Sequence, residues 1–160
     1  MNKERYLSLI HWAGEQPARK KVFCFLSRIL PIVIGVVYIL CLLGCLFVYP
    51  VLLLRLALRP ALCFLTVTFL RKILKFPRPY DVYGYIPLCD YHPGKSCSFP
   101  SRHTASAAII ALEIFHLWRG IGTIMLFLAL LVGLLRILCG NHFIKDVLAA
   151  YGIALLFNIL

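Results

Sequence analysis

The chain has 160 residues, 62% of them hydrophobic and only 14% charged, and its mean hydropathy of +0.90 lies well above that of a soluble domain of this size. Its net charge of +11, from 17 Lys and Arg against 6 Asp and Glu, would point to nucleic acid in a soluble protein. Here the charges fall between apolar runs, where they meet anionic headgroups or a phosphate, so composition excludes a nucleic-acid partner and leaves one compact domain whose main solvent is the lipid bilayer.

Residues 1 to 28 are mixed and basic, with Lys3, Arg5, Arg19, Lys20, Lys21 and Arg28 around an amphipathic stretch holding Tyr6, Leu7, Ile10 and Trp12. This pattern predicts a basic amphipathic extension that lies as an interfacial helix, followed by a membrane-embedded domain over residues 29 to 160. A cleaved signal peptide is not expected: the apolar run that follows is too long for one, and no small-residue cleavage pattern ends it.

From Ile29 to Leu54 no residue is charged, and beyond Arg55 and Arg59 the apolar character continues to Leu70. That length accommodates two spans of roughly 20 residues, with Pro50 as the break. Arg55 and Arg59 share a helical face, from which they are expected to snorkel to headgroups.

Residues 71 to 100 form the one long polar segment, rich in proline and tyrosine, and are expected to be a loop. Three further apolar runs follow, about 102 to 118, 121 to 138 and 143 to 160, separated by Arg119-Gly120 and by Cys139-Gly140-Asn141. The expected fold is an all-α membrane bundle of about five spans. Its topology places the end of the second span, the start of the third, the end of the fourth and the start of the fifth on one face of the membrane.

Of seven cysteines, Cys24, Cys41, Cys45 and Cys63 lie in or beside apolar runs and read as small apolar residues. Cys89 and Cys97 share the polar loop, where they either pair in an oxidising space or remain free thiols. Cys89, His92, Cys97 and His103 have a loosely zinc-like spacing, but a zinc site there ranks below both readings. Within the third span, Glu113 and His116 are three residues apart and are expected to form a structural hydrogen-bonded set at the far interface. The alanines at 105, 107, 108 and 111 predict close helix packing.

Three clusters fall on the common face: Arg71 with Arg78-Pro79; Pro100-Ser101-Arg102-His103; and Arg136, His142 and Asp146. Together, in this order and at helix ends, they resemble the three-part signature of the type 2 phosphatidic acid phosphatase (PAP2) superfamily, which includes the vanadium haloperoxidases. The resemblance covers roughly residues 60 to 150. It departs from the family at Arg71, usually Lys, at Arg102, usually Gly, and at Leu135, usually Ser. A guanidinium and an ammonium bind phosphate differently; a side chain at 102 either crowds the phosphate or contacts it; and loss of the Ser removes one hydroxyl.

The resemblance implies a PAP2-like helical core and hydrolysis of a membrane lipid phosphate or pyrophosphate. Candidate substrates are undecaprenyl pyrophosphate, phosphatidylglycerophosphate and phosphatidic acid. His142 would be the nucleophile, Asp146 its hydrogen-bond partner four residues later, and His103 the general acid and then base. Arg71, Arg78, Ser101, Arg102 and Arg136 would cradle the phosphate oxygens. No cofactor is implied, and Asp81, Asp90 and Asp146 are too scattered in sequence to predict a Mg2+ or two-metal site. The altered positions keep a second reading open, a catalytically silent relative that binds or carries phospholipid. The positive-inside rule places the site face in the cytoplasm, whereas many members of the family place it outside the cell membrane.

Overall fold

A computed structural model describes residues 3–48, 50–94 and 97–160. Among these the chain is helical, with α1 (Lys3–Glu15), α2 (Pro17–Val48), α3 (Pro50–Leu74), α4 (Pro79–Tyr83), α5 (Arg102–Leu117), α6 (Arg119–Leu138) and α7 (Ile144–Ile159). The five longest helices correspond to the five apolar runs. Residues 17–28, placed with the extension on sequence, form the first turns of α2, because no helix breaker separates them from Ile29. Likewise Arg71 to Leu74 continue α3, and Pro79 to Tyr83 add a short helix within the polar segment.

Small side chains make α5 the axis of the bundle, touching α2, α3, α6 and α7. Ala107 and Ala111 face a core with Leu30 and Ile34 of α2 and Met125, Ala129, Val132 and Leu135 of α6. Ala105 and Ala108 face a second core with Cys63 and Val67 of α3 and Ala150 and Ala154 of α7. Alanines on both faces let neighbouring helices approach closely, with Ile114 and Ile109 of α5 filling the two cores between them, as membrane helices commonly do. Leu135, at the family's serine position, is therefore a core residue.

Among the described residues three helical runs are long and apolar enough to cross a membrane, Pro17–Val48, the run that starts at Pro50, and Arg119–Leu138. At ~1.5 Å per residue the 16 residues of α5 and of α7 reach about 24 Å, short of a full hydrocarbon core. The outward faces carry large apolar side chains, among them Leu40, Phe47, Leu54, Leu65, Phe69, Ile124 and Phe127, all exposed. In water such a belt would drive aggregation; in a bilayer it is the ordinary lipid-facing surface. This is a membrane protein.

At one end of the bundle Arg55 Nε lies 3.3 Å and Arg59 Nη1 3.1 Å from the two carboxylate oxygens of Glu113. Asn158 donates to the same carboxylate and pairs with His116. The two arginines, expected to snorkel outward, instead fold onto a carboxylate that is only 2% exposed. A buried acid without a cation would cost far more than the headgroup contacts would return.

Candidate functional site

The other end of the bundle gathers the predicted clusters. Arg71 lies in the last turn of α3, Arg78 caps α4, Arg102 and His103 open α5, Arg136 ends α6, and His142 sits just before α7. All six line one cavity of about 330 Å³, together with Asp90 and His92. Asp146, on the first turn of α7, stands behind His142. Ser101 does not reach the cavity lining: it is fully buried, and its hydroxyl pairs with Thr104 at 2.9 Å.

The chain around His142 is held from several directions. Asn141 and His142 both donate main-chain N–H groups to Arg136 O. Tyr6 of α1 donates to His142 O at 3.1 Å, and Tyr85 donates to Gly140 O at 2.7 Å. Gly140 has φ 79°, and a Cβ there would meet the Tyr85 ring at 2.9 Å, so position 140 excludes side chains on two grounds. Tyr6 also packs on Tyr83 and Phe143, which makes the N-terminal helix a buttress of the site. Nothing in the spacing of the N-terminal segment marks this contact, which spans 136 residues.

One oxygen of Asp146 organises the imidazole. Its Oδ2 accepts from the Ser98 hydroxyl at 2.5 Å and from Phe143 N–H at 3.0 Å, and lies 3.4 Å from His142 Nδ1. Ser98 Oγ is itself 3.3 Å from Nδ1. With the hydroxyl proton committed to Asp146, both oxygens near Nδ1 are acceptors, so Nδ1 carries the ring proton and Nε2 keeps its lone pair. Burial lowers the His142 pKa to about 4, with Asp146 opposing the shift and Arg78 and Arg71 adding to it. At neutral pH the ring is uncharged.

The cations differ in how they are held. Arg71 is 7% exposed, and its Nη1 donates to Ser98 O and Pro100 O, which pins the segment leading into α5. Arg136 is 5% exposed; its Nη2 donates to Ser27 O and its Nη1 meets Asp90 Oδ2 at 3.2 Å. Asp90 also faces Arg28 Nε at 3.6 Å. Arg102 and His103 are exposed, and they also border a groove of about 360 Å³ lined by Pro31, Ile34 and Gly35 of α2, Phe64 of α3 and Ala107 and Ile110 of α5. A polar cavity thus meets an apolar groove at two residues.

Several buried polar atoms at this end have no partner within the protein: Arg78 Nε, Arg136 Nε, both side-chain atoms of Asn141 and Asp146 Oδ1. Ser98, Asp90 and Asn141 were missed on sequence. Ser98 carried no signal beyond lying near Ser101, and Asp90 only that of an acid in an aromatic loop. Among the described residues no group of three or more His, Cys, Asp or Glu side chains is arranged to hold a metal ion, and the zinc-like spacing does not close into one.

Comparison with known proteins identifies the family of the chain and relatives that share its fold. The family model described as "PAP2 superfamily" matches residues 35–160. Undecaprenyl-diphosphatase BcrC of Bacillus subtilis (strain 168) is 31% identical over 97 residues, 60% of this chain and 49% of that protein, so the match spans about half the length of that relative. The crystal structure of Aquifex aeolicus LpxE superposes with a TM-score of 0.75 at 26% identity, over 96% of this chain and 92% of the other. The first transmembrane PAP2 type phosphatidylglycerolphosphate phosphatase from Bacillus subtilis superposes with a TM-score of 0.66 at 23% identity, over 98% and 82%. The second superposition speaks for the fold alone.

Proposed function

The chain belongs to the PAP2 superfamily, and from that membership we propose that it is a membrane phosphatase that cleaves a lipid phosphate or pyrophosphate through a phosphohistidine, without a metal. The observation that carries this reading is the single cavity in which four arginines, His103 and a neutral His142 meet. The lipid headgroup enters that cavity. Its chain lies in the groove between α2, α3 and α5, whose lining is apolar apart from Arg102, His103 and Ser106.

Arg71, Arg78, Arg102 and Arg136 spread the charge of the equatorial phosphate oxygens over guanidinium N–H groups. His142 Nε2 attacks phosphorus. The bond from phosphorus to the leaving oxygen breaks, and His103 gives that oxygen a proton. The positive charge that develops on His142 is met by Asp146, which Ser98 holds in place. His103, now neutral, takes a proton from water as the water attacks the phosphohistidine, and inorganic phosphate leaves.

Undecaprenyl pyrophosphate, phosphatidylglycerophosphate and phosphatidic acid are the candidate substrates, and the plasma membrane is the proposed location. The test is phosphate release from these three lipids by the detergent-solubilised protein in EDTA, beside His142→Ala. Turnover in EDTA that disappears in the variant upholds the proposal. Saturable binding of all three without release in either protein would instead establish the silent carrier, a reading favoured by the engagement of Arg136 with Asp90 and of Arg71 with the loop carbonyls.

A further inference from the structure

The end of the bundle opposite the catalytic cavity holds a second group of cations. Arg55 stands 16 positions before Arg71 on α3, about 24 Å along the helix and so most of the way across a hydrocarbon core. The two residues lie near opposite faces of the membrane. At the Arg55 end two guanidinium groups share one carboxylate. Arg59 Nη1 donates to Glu113 Oε1 at 3.1 Å, and Asn158, itself paired with His116, donates to the same oxygen. Arg55 faces Oε2 through Nε at 3.3 Å, an ion pair whose geometry falls short of a hydrogen bond, and among the described residues its side chain makes no other polar contact.

One arginine neutralises Glu113, and the second leaves a positive charge over. That charge sits on a side chain that is 45% exposed, against 20% for Arg59. A cation at the edge of the hydrocarbon is costly without a partner. Contact through Nε leaves the Nη1–Nη2 edge of the planar group unused, and this edge fits two oxygens of a phosphate. Beside it is a cavity of about 140 Å³ lined by Leu52, Arg55, Leu56, Glu113, His116 and Leu117. A water molecule fills ~30 Å³ in the liquid, so a phosphate group has room there. Val51, Leu54 and Leu58, spaced by three and four along α3, are all exposed and extend an apolar surface away from the cavity, on which acyl chains can lie.

We propose that Arg55, held by Glu113, is the headgroup site for an anionic phospholipid of the leaflet opposite the catalytic cavity. The group recognised is a phosphodiester with no amine beside it. Its single negative charge balances the surplus positive one, whereas a zwitterionic headgroup brings back the charge that the site has to cancel. Glu113 restrains the long Arg55 side chain, which lowers the entropy cost of binding. The site uses no catalytic residue and does not depend on the phosphatase reading.

The test is native mass spectrometry of the full-length protein released from detergent, titrated with phosphatidylglycerol or with phosphatidylcholine of the same acyl chains. Wild type is expected to retain one phosphatidylglycerol about 10-fold more tightly than phosphatidylcholine, the effect of one charge-assisted contact. In Arg55→Gln, whose amide can still donate to Glu113, this preference is expected to vanish. Arg55→Lys keeps the charge and loses the fork, so its affinity should fall about 3-fold; it carries the test if Arg55→Gln does not fold. Lys21 is exposed on α2 at the catalytic end, and Lys21→Gln, which removes the same charge there, should leave the affinity unchanged. An equal loss in Lys21→Gln, wild-type affinity in the Arg55 variants, or equal retention of the two lipids overturns the proposal. So does displacement of the lipid by millimolar inorganic phosphate, which would assign Arg55 to a free anion.

Discussion

The Ser98 hydroxyl donates to Asp146 Oδ2 at 2.5 Å, and the same Ser98 oxygen lies 3.3 Å from His142 Nδ1. Asp146 therefore reaches His142 partly through a residue 48 positions away in sequence. Ser98→Ala removes the donor and leaves a buried carboxylate oxygen short of a partner. Loss of such an orienting group typically costs about 10- to 100-fold in activity and roughly 1–3 kcal/mol of stability. We expect kcat to fall by that factor with KM little changed, and steady-state assays with thermal unfolding in detergent will measure both. A wild-type kcat in Ser98→Ala removes Ser98 from the positioning of His142.

Asp90 occupies a guanidinium that the proposed chemistry assigns to phosphate. Asp90→Asn keeps the shape and removes the competing charge, so inorganic phosphate should inhibit more tightly, by roughly 3- to 10-fold, as fits one charge-assisted contact exchanged for another. Product-inhibition constants for wild type and variant decide the matter. Weaker inhibition in Asp90→Asn would make Asp90 a support for Arg136 and not a competitor.

The depressed pKa of His142 links pH to stability. Above about pH 6.5 neither the native nor the unfolded chain protonates this ring. Between about 6.5 and 4 the unfolded chain binds the proton and the native chain does not. Stability is thus lost as pH falls through that window, by up to about 1.4 kcal/mol per pH unit from this group. Unfolding midpoints of wild type and His142→Asn at pH 7 and pH 5 should show the smaller loss in the variant; equal losses would contradict a neutral buried ring.

Gly35 faces the apolar groove, and a Cβ built there meets nothing within 4 Å. Gly35→Phe should place a ring where the lipid chain is proposed to lie. We expect KM for a long-chain lipid phosphate to rise about 10-fold, the effect of removing one to two kcal/mol of uniform binding. Hydrolysis of a short, water-soluble phosphate ester should be unchanged. Equal effects on both substrates would move the chain out of this groove.

Glu113 lies ten residues beyond His103 on α5, about 15 Å along the helix. Glu113→Ala leaves Arg59 and half-exposed Arg55 without their carboxylate and should destabilise the protein by roughly 3 kcal/mol, while kcat of the folded fraction stays within about twofold. Unfolding and activity measured on the same preparation separate the two. A large fall in kcat at full stability would tie this cluster to the site.

The five-helix order and the residue types at the site could be read from the chain alone, because both rest on local patterns. Apolar runs of spanning length report helices wherever they occur, and charged or imidazole residues at the ends of such runs stand out against their surroundings. Ser98, Asp90 and the buttress from Tyr6 left no such mark. Each matters through a partner more than 40 residues away, and an ordinary serine, aspartate or tyrosine in a polar stretch carries no sign of which distant atom it will meet.

Tertiary structure also decided matters for which sequence pointed elsewhere. Arg55 and Arg59 had the spacing of headgroup anchors, but packing of α3 on α5 brought them to Glu113, and a buried carboxylate demands its counter-charge more strongly than exposed arginines seek phosphate. Cys89 had Cys97 as its near neighbour in the loop, yet the loop's main chain pairs with the end of α6, where Leu88 N–H donates to Cys139 O, while Cys97 N–H donates to Phe76 O. Hydropathy along the chain thus determined where the helices are. Which side chains touch was decided only by the way α5, lined with alanine, lets its neighbours close around it.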